Sequence, residues 1–283
     1  MKKSLFILGI FIAMAVNAQQ INSGIATYQT KTTLDMDNFG PPGRQLSEQQ
    51  KKQIAERMRS RLEKTYTLSF DKKASLYEEV DKLEAPGAGG RGGRWGSFSQ
   101  GAIYKDIAED LYLRENDLMG KLFLVKDSLP KLDWKLEKES KVIGQYTAFK
   151  ATAVRKDDDL FQMMNRRRRD AERDDKGGAK DSTNTESEEP VETVTVWYTP
   201  QIPVAQGPDE YYGLPGLILE VNAGRTVILC TKIVLNPNDG VTIKEPSKGK
   251  EVTKAEYNQI MEEKTKEMAE RFRGRGFGGG RGR

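Results

Sequence analysis

The sequence predicts a mainly β (α+β) protein: a curved antiparallel sheet or half-barrel with two helices packed on or beside it. Three observations predict this. Short segments rich in Thr, Val, Ile and aromatic residues, roughly eight to ten of them, recur between turn signals. Only two stretches carry a helical repeat of apolar residues. Strands and helices do not alternate, so a parallel sheet with crossover helices is not expected. The 283 residues suffice for one large domain or two small ones. Hydrophobic residues make up 36% and charged residues 31%, a balance that places part of the chain outside any core.

The first element is a leader. Lys2 and Lys3 precede a short apolar run from Leu5 to Val16, and Val16-Asn17-Ala18 fits cleavage after Ala18. Residues 1–18 are therefore expected to be a signal peptide that exports the chain to the periplasm, the outer membrane or the medium. The run is short for a bilayer span and no second one follows, so no transmembrane segment is expected in the mature chain. Cleavage removes two lysines and takes the net charge from +4 to about +2, too little for long-range steering of a polyanion.

Residues 19–250 are expected to form the β domain. "SGIATYQTKTTLDM" (Ser23–Met36) alternates as a strand and "FGPPG" ends it. "LSEQQKKQIAERMRSRLEK" reads as a helix, with Ser47 and Gln50 as a capping box and Ile54, Met58 and Leu62 as a narrow apolar stripe. Thr65–Phe70 and Ala74–Val80 form a hairpin. A Gly-rich insertion follows at about 84–101. "AIYKDI", "DLYLREND", "KLFLVKD" and "LDWKLEKES" are short strands, and Lys141–Val154 reads as one long strand interrupted at Gly144. From 155 to 190, blocks of both charge signs predict a disordered insertion. "VETVTVWYTP" resumes the sheet. Pro203 and Pro208 keep the next segment extended, and "NAGR" joins two strands as a hairpin. A helix over 251–272 starts at a Thr253–Glu256 capping box, and 273–283 is an Arg-Gly tail with no core-forming residues.

"YYGLPGLILEV" (Tyr211–Val221) is the most apolar stretch beside the sharpest turn. Leu214-Pro215-Gly216-Leu217 fits a type II turn, with Pro at the second position and Gly at positive φ in the third. Gly213 would let the backbone pass close to a neighbour. Leu217, Ile218 and Leu219 then enter a strand buried on both faces. The stretch reads as a joint rather than a reaction site, because only Tyr211, Tyr212 and Glu220 offer chemistry, at its margins.

Gly213, Leu214, Pro215, Gly216, Leu217 and Ile218 spell out a motif whose flanks include Trp134, Ile143-Gly144-x-Tyr146, Lys150-Ala151, Trp197-Tyr198-Thr199 and Ile202-Pro203. From Leu132 to Leu235 this order resembles the GLPGLI family of secreted proteins from Bacteroidetes-type Gram-negative bacteria. The resemblance implies an exported envelope protein and leaves the activity open. Members often carry a Cys two residues before the Lys, where this chain has Ala148; the charged insertion and the Arg-Gly tail also depart from the pattern.

Composition narrows the chemistry. With no His and one Cys, the chain lacks the ligands of usual zinc, copper or iron sites and the base of a Ser-His-Asp or Cys-His arrangement. No metal, cofactor or catalytic residue is assigned. Cys230 reads as a small buried hydrophobe. "GAGGRG" (Gly87–Gly92) lacks the strand before it and the helix after it that a dinucleotide site needs. Arg271, Arg273, Arg275, Arg281 and Arg283 could touch anionic surfaces weakly; a specific nucleic-acid site is not expected in an exported chain. Trp134, Tyr146, Trp197, Tyr198, Tyr211 and Tyr212 lie on or beside strands, as core packing or as the lining of a groove for an apolar ligand or partner segment. The reading is thus a non-enzymatic binding or carrier-like envelope protein. The alternatives are an enzyme using carboxylate, Tyr or Lys chemistry, and a glycan or nucleic-acid binder acting through the Arg-Gly tail.

Overall fold

The computed structural model describes residues 23–33, 46–80, 98–156 and 191–276. The strands are β1 (Ser23–Thr32), β2 (Glu63–Asp71), β3 (Ala74–Glu79), β4 (Phe98–Asp106), β5 (Leu111–Leu118), β6 (Lys121–Asp127), β7 (Lys135–Ile143), β8 (Tyr146–Lys156), β9 (Val191–Thr199), β10 (Leu217–Ala223), β11 (Thr226–Leu235) and β12 (Lys250–Val252). The helices are α1 (Glu48–Leu62) and α2 (Lys254–Gly276). One open sheet holds all of these strands in the order β12-β6-β5-β4-β3-β2-β1-β11-β10-β9-β8-β7. Only β12 runs parallel to its neighbour, β6.

Two meanders, β1–β6 and β7–β11, meet where β1 pairs with β11. Their connection forces curvature. β6 ends at Asp127 and β7 begins at Lys135, on opposite flanks of the sheet. The short link reaches at most about 25–30 Å, whereas the ten strand spacings between β6 and β7 would put them roughly 48 Å apart if the sheet were flat. The sheet must therefore curl so that its flanks approach. The link itself is drawn into the core: Leu129 is buried there, and Leu132 and Trp134 pack against it.

Alternation on the strands assigns the two faces. Ala26 and Tyr28 on β1, Leu68 and Phe70 on β2, Tyr77 on β3, Val194 and Val196 on β9, and Val221 on β10 point to the inner face and form the main core. The Tyr28 hydroxyl donates to the Ile218 carbonyl at 2.6 Å, tying one meander to the other. On the outer face, Tyr104, Leu113 and Leu124 form a second cluster, covered by Ile243 from the segment that leads to β12. Phe123 and Val125, back on the inner face, receive Tyr257, Ile260 and Met261 of α2.

Several expectations are met in detail. Ser47 and Gln50 form the capping box of α1, and Thr253 and Glu256 exchange the same pair of bonds at the start of α2. Others change. Lys141–Val154 is not one strand: Ile143 pairs with Tyr146 across a tight turn, and Gly144 adopts φ 61, which L residues avoid. Strand β4 starts at Phe98 and β8 continues to Lys156, both inside stretches expected to be irregular. Helix α2 begins only after β12 and runs to Gly276, so Arg273 and Arg275, expected in the tail, join Arg271 in its last turns. Residues 1–22, most of the two expected insertions, and 277–283 with Arg281 and Arg283 fall outside the described residues.

Candidate functional site

Residues 200–216 leave β9, cross the inner face and return as β10. Ile202, Val204, Gln206, Tyr211 and Leu214 are buried along this path. Proline shapes it twice. Val204 N–H bonds to the Ile202 carbonyl around Pro203, and Gly216 N–H to the Leu214 carbonyl around Pro215, both at 2.8 Å. These are three-residue turns, and the fixed φ of Pro suits their central position. The turn at Pro215 is therefore not type II, and the two glycines exchange their expected roles. Gly213 takes the positive φ, at 90°. Gly216 provides the close approach: a Cβ there would lie 2.5 Å from the carbonyl carbon of Thr199 and 2.8 Å from the nitrogen of Pro200. Leu217 N–H then bonds to Ile202 O at 3.0 Å and Ile218 N–H to Gln206 O at 3.1 Å, so the segment is stitched to itself before it joins the sheet.

Beneath this segment lies a buried charge. Lys105 on β4 is 0% exposed. Its Nζ donates to the carbonyls of Gly207 at 2.6 Å, Asp209 at 2.7 Å and Tyr211 at 3.1 Å. Three donors meet three acceptors, the arrangement that makes a buried ammonium tolerable. Burial pulls its pKa down to about 7, against the pull of Asp209 and Glu210. Asp209 adopts φ 51, uncommon for a residue other than Gly, and this delivers its carbonyl to Lys105. Its carboxylate faces Arg114 of β5 at 3.8 Å. Arg114 Nε and Asp209 Oδ1 are both buried without a hydrogen bond. On the other side, Arg155 of β8 binds Glu210 at 2.6 Å and Glu192 at 3.0 Å and lies 5.6 Å from the centre of the Tyr211 ring. Tyr66, Tyr77, Tyr112 and Tyr211 surround these charges; burial raises all four hydroxyl pKa values well above the ordinary range.

The six aromatic residues of the expected groove do not share one surface. Tyr198 and Tyr211 are buried in the main core, and Trp134, Tyr146, Trp197 and Tyr212 pack partly buried against it. Trp134 Nε1 donates to the Tyr212 carbonyl at 2.8 Å, which brings those two together beside Gly213. Trp197 points the other way from Tyr198, as successive strand residues must. It lies on the outer face with Lys150 and Glu220, its cross-strand neighbours, and Lys141 Nζ stands 4.3 Å above its ring. Cys230 is partly buried against the core and burial raises its thiol pKa to about 12, far from a reactive thiolate. Among the described residues, no group of three or more His, Cys, Asp and Glu side chains is placed to hold a metal ion, and no helix is long and apolar enough to cross a membrane.

The charged residues under the segment escaped the sequence reading. Lys105 sits in "AIYKDI", where a Lys in a strand ordinarily marks the solvent side. Only register shows that it shares a face with Tyr112 and Phe70 rather than with Tyr104.

A family described as a protein of unknown function (Porph_ging) has a model that matches residues 134–220. The matched stretch runs from Trp134, just before β7, through the cross-sheet segment and its Gly-Leu-Pro-Gly-Leu-Ile motif into β10. A search of curated proteins finds no match. Two solved structures of PNGF-II, in the C2 and P21 space groups, are similar to the chain with a TM-score of 0.44 each, at 14% and 13% identity. The similarity covers 84% of this chain but 32% and 33% of the PNGF-II chains, so this chain spans about a third of their length.

Proposed function

We propose that this chain is an exported, non-enzymatic binding protein of the GLPGLI family that docks a protein partner on the outer face of β8–β11. The observation that carries the proposal is where apolar surface remains exposed. Val154 (61%), Val191 (67%), Val227 (41%) and Leu229 (38%) are exposed on these strands. By register they share the outer face with Trp197, Thr195 and Asn222. Exposed apolar side chains spread along one face, with Leu229 level with the partly buried Trp197 and Val227, Val154 and Val191 progressively farther along, beside the Lys141–Glu220 and Lys150–Glu139 ion pairs, have the make-up of a protein-binding surface. An apolar small-molecule cargo fits less well, because Ile202, Val204, Tyr211 and Leu214 occupy the inner face that would receive it. Export rests on the character of residues 1–18, and the family on the motif and its flanks.

The test is site-specific photo-crosslinking in the producing cell. A photoreactive residue at Thr195 or Val227 should give a discrete crosslinked species that disappears with Trp197→Ala. The same residue at Glu56 on α1 should not. Equal crosslinking from all three positions, or none from the outer face, contradicts the proposal.

A further inference from the structure

The two ends of the sheet differ. β12 is three residues long and leads straight into α2. β7 runs for nine residues and, among the described residues, pairs only with β8. A long strand with one free edge presents a row of backbone N–H and C=O groups to a further strand. The inner face is also bare here. Residues 200–216 cover its centre and α2 covers β6, but Leu136 and Val142 on β7 are 56% and 72% exposed and Phe149 on β8 is 36% exposed. Register places these three on one face. Leu136 opposes Ala151, Ser140 opposes Phe149 and Val142 opposes Thr147; Ala151 and Phe149 in turn oppose Val196 and Tyr198 of the core. Val142 is the most exposed large apolar side chain among the described residues.

We infer that β7 is a dimerisation edge, at which two copies of this chain pair their β7 strands antiparallel about a two-fold axis at Glu139. The residues of the edge select both this partner and this register. A two-fold axis pairs positions equidistant from it. With the axis at Glu139, Leu136 of each copy meets Val142 of the other on the inner face, and Glu137 meets Lys141 on the outer face. Lys138 meets Ser140. The two Glu139 carboxylates face one another across the axis, but each is already bonded to Lys150 of its own chain, at 2.8 Å. An axis at Lys138 instead opposes Lys138 with Lys138, Glu137 with Glu139 and Lys135 with Lys141, all like charges and all destabilising. An axis at Ser140 sets Lys138 against Val142. Charged side chains are common on edges that stay unpaired; here their signs alternate so that one self-pairing matches them. Between Leu136 and Ser140, three residues of β7 lie opposite Lys150 alone, so the ladder to β8 is interrupted where the axis falls. The backbone there has bonding capacity left for a second strand. The inference does not rest on the outer-face reading, because Leu136 and Val142 face the other side of the sheet.

The experiment is sedimentation velocity of the full chain over a dilution series, with cysteine crosslinking to fix the register. The parent should pass from one chain to two as concentration rises. Val142→Asp changes an exposed side chain and should stay monomeric over the same range with an unchanged melting temperature. Under oxidised glutathione, Glu139→Cys should form an intermolecular disulfide, because directly opposed residues bring their Cβ atoms within about 5.5 Å. Glu137→Cys should not link to its own equivalent, roughly 14 Å away along the paired strands, but should link to Lys141→Cys when the two variants are mixed. The parent, whose one thiol is the partly buried Cys230, is the control. A parent that stays monomeric overturns the inference and leaves the edge to a strand of another protein. A dimer that Val142→Asp does not weaken overturns it as well, as does self-linking of Glu137→Cys as ready as that of Glu139→Cys.

Discussion

At the scale of single residues, Gly216 and Lys105 carry most of the account. Gly216 is required for space, because the Thr199–Pro200 backbone occupies the position of its missing Cβ. Gly216→Ala should cost about 1–3 kcal/mol in denaturant melts, as overpacking does, and Gly216→Val should unfold the domain. A folded Val variant would show that the approach is not tight. Lys105 makes stability depend on pH. Its folded pKa, about 7, lies below the roughly 10.4 of an unfolded Lys. Between those values the unfolded chain binds more protons, so stability should rise with pH, by at most about 1.4 kcal/mol per unit. Above about pH 10 the sign reverses. The buried tyrosines keep their protons in the fold and lose them on unfolding, so stability falls. Melting temperature should therefore peak near pH 9–10. Lys105→Met should flatten the rise and lower stability throughout, because three carbonyls lose their donor. An unchanged pH profile in that variant would show that another group titrates.

At the scale of elements, local signals were legible and long-range ones were not. Both capping boxes, the strand class of most segments and the burial of Leu217–Leu219 follow from neighbours in sequence. The β7–β8 turn was missed because Thr, Val and Ile continue on both sides of Gly144 and a lone Gly also fits a bulge. Its φ of 61 gives a prediction: Gly144→Val should cost about 1–2 kcal/mol and Gly144→Asn clearly less, as measured by thermal melts. Equal losses would place the turn elsewhere. Pro215, Gly216, the apolar Leu217–Leu219 run and the lack of reactive groups mark the motif as a joint, but the type II turn they suggest is not formed. What distinguishes the two glycines, the Thr199 backbone and the positive φ of Gly213, arises from packing. The Lys105–Asp209–Arg114 cluster was invisible because Asp209 lies about a hundred residues from Lys105 and Arg114 and meets them only where the cross-sheet segment folds onto β4 and β5.

At the scale of the whole molecule, two meanders form one curled sheet with its inner face filled by its own chain. The link between β6 and β7 makes the curl necessary, Tyr28 ties the meanders together, and the cross-sheet segment plugs the concavity. This architecture fits the proposed docking of a partner on the outer face of β8–β11. It also accounts for the motif. Gly213–Ile218 ends the plug and begins a central strand, so its apolar residues are core and its glycines serve backbone geometry. The measurement that tests this most directly is amide hydrogen exchange at Gly213, Gly216, Leu217 and Ile218, whose N–H groups bond to Ala205, Leu214, Ile202 and Gln206. The account predicts protection comparable to that of β1 and β11 in the parent chain, and faster exchange at these four amides in Lys105→Met. Exchange in the parent as fast as in an exposed loop would contradict it.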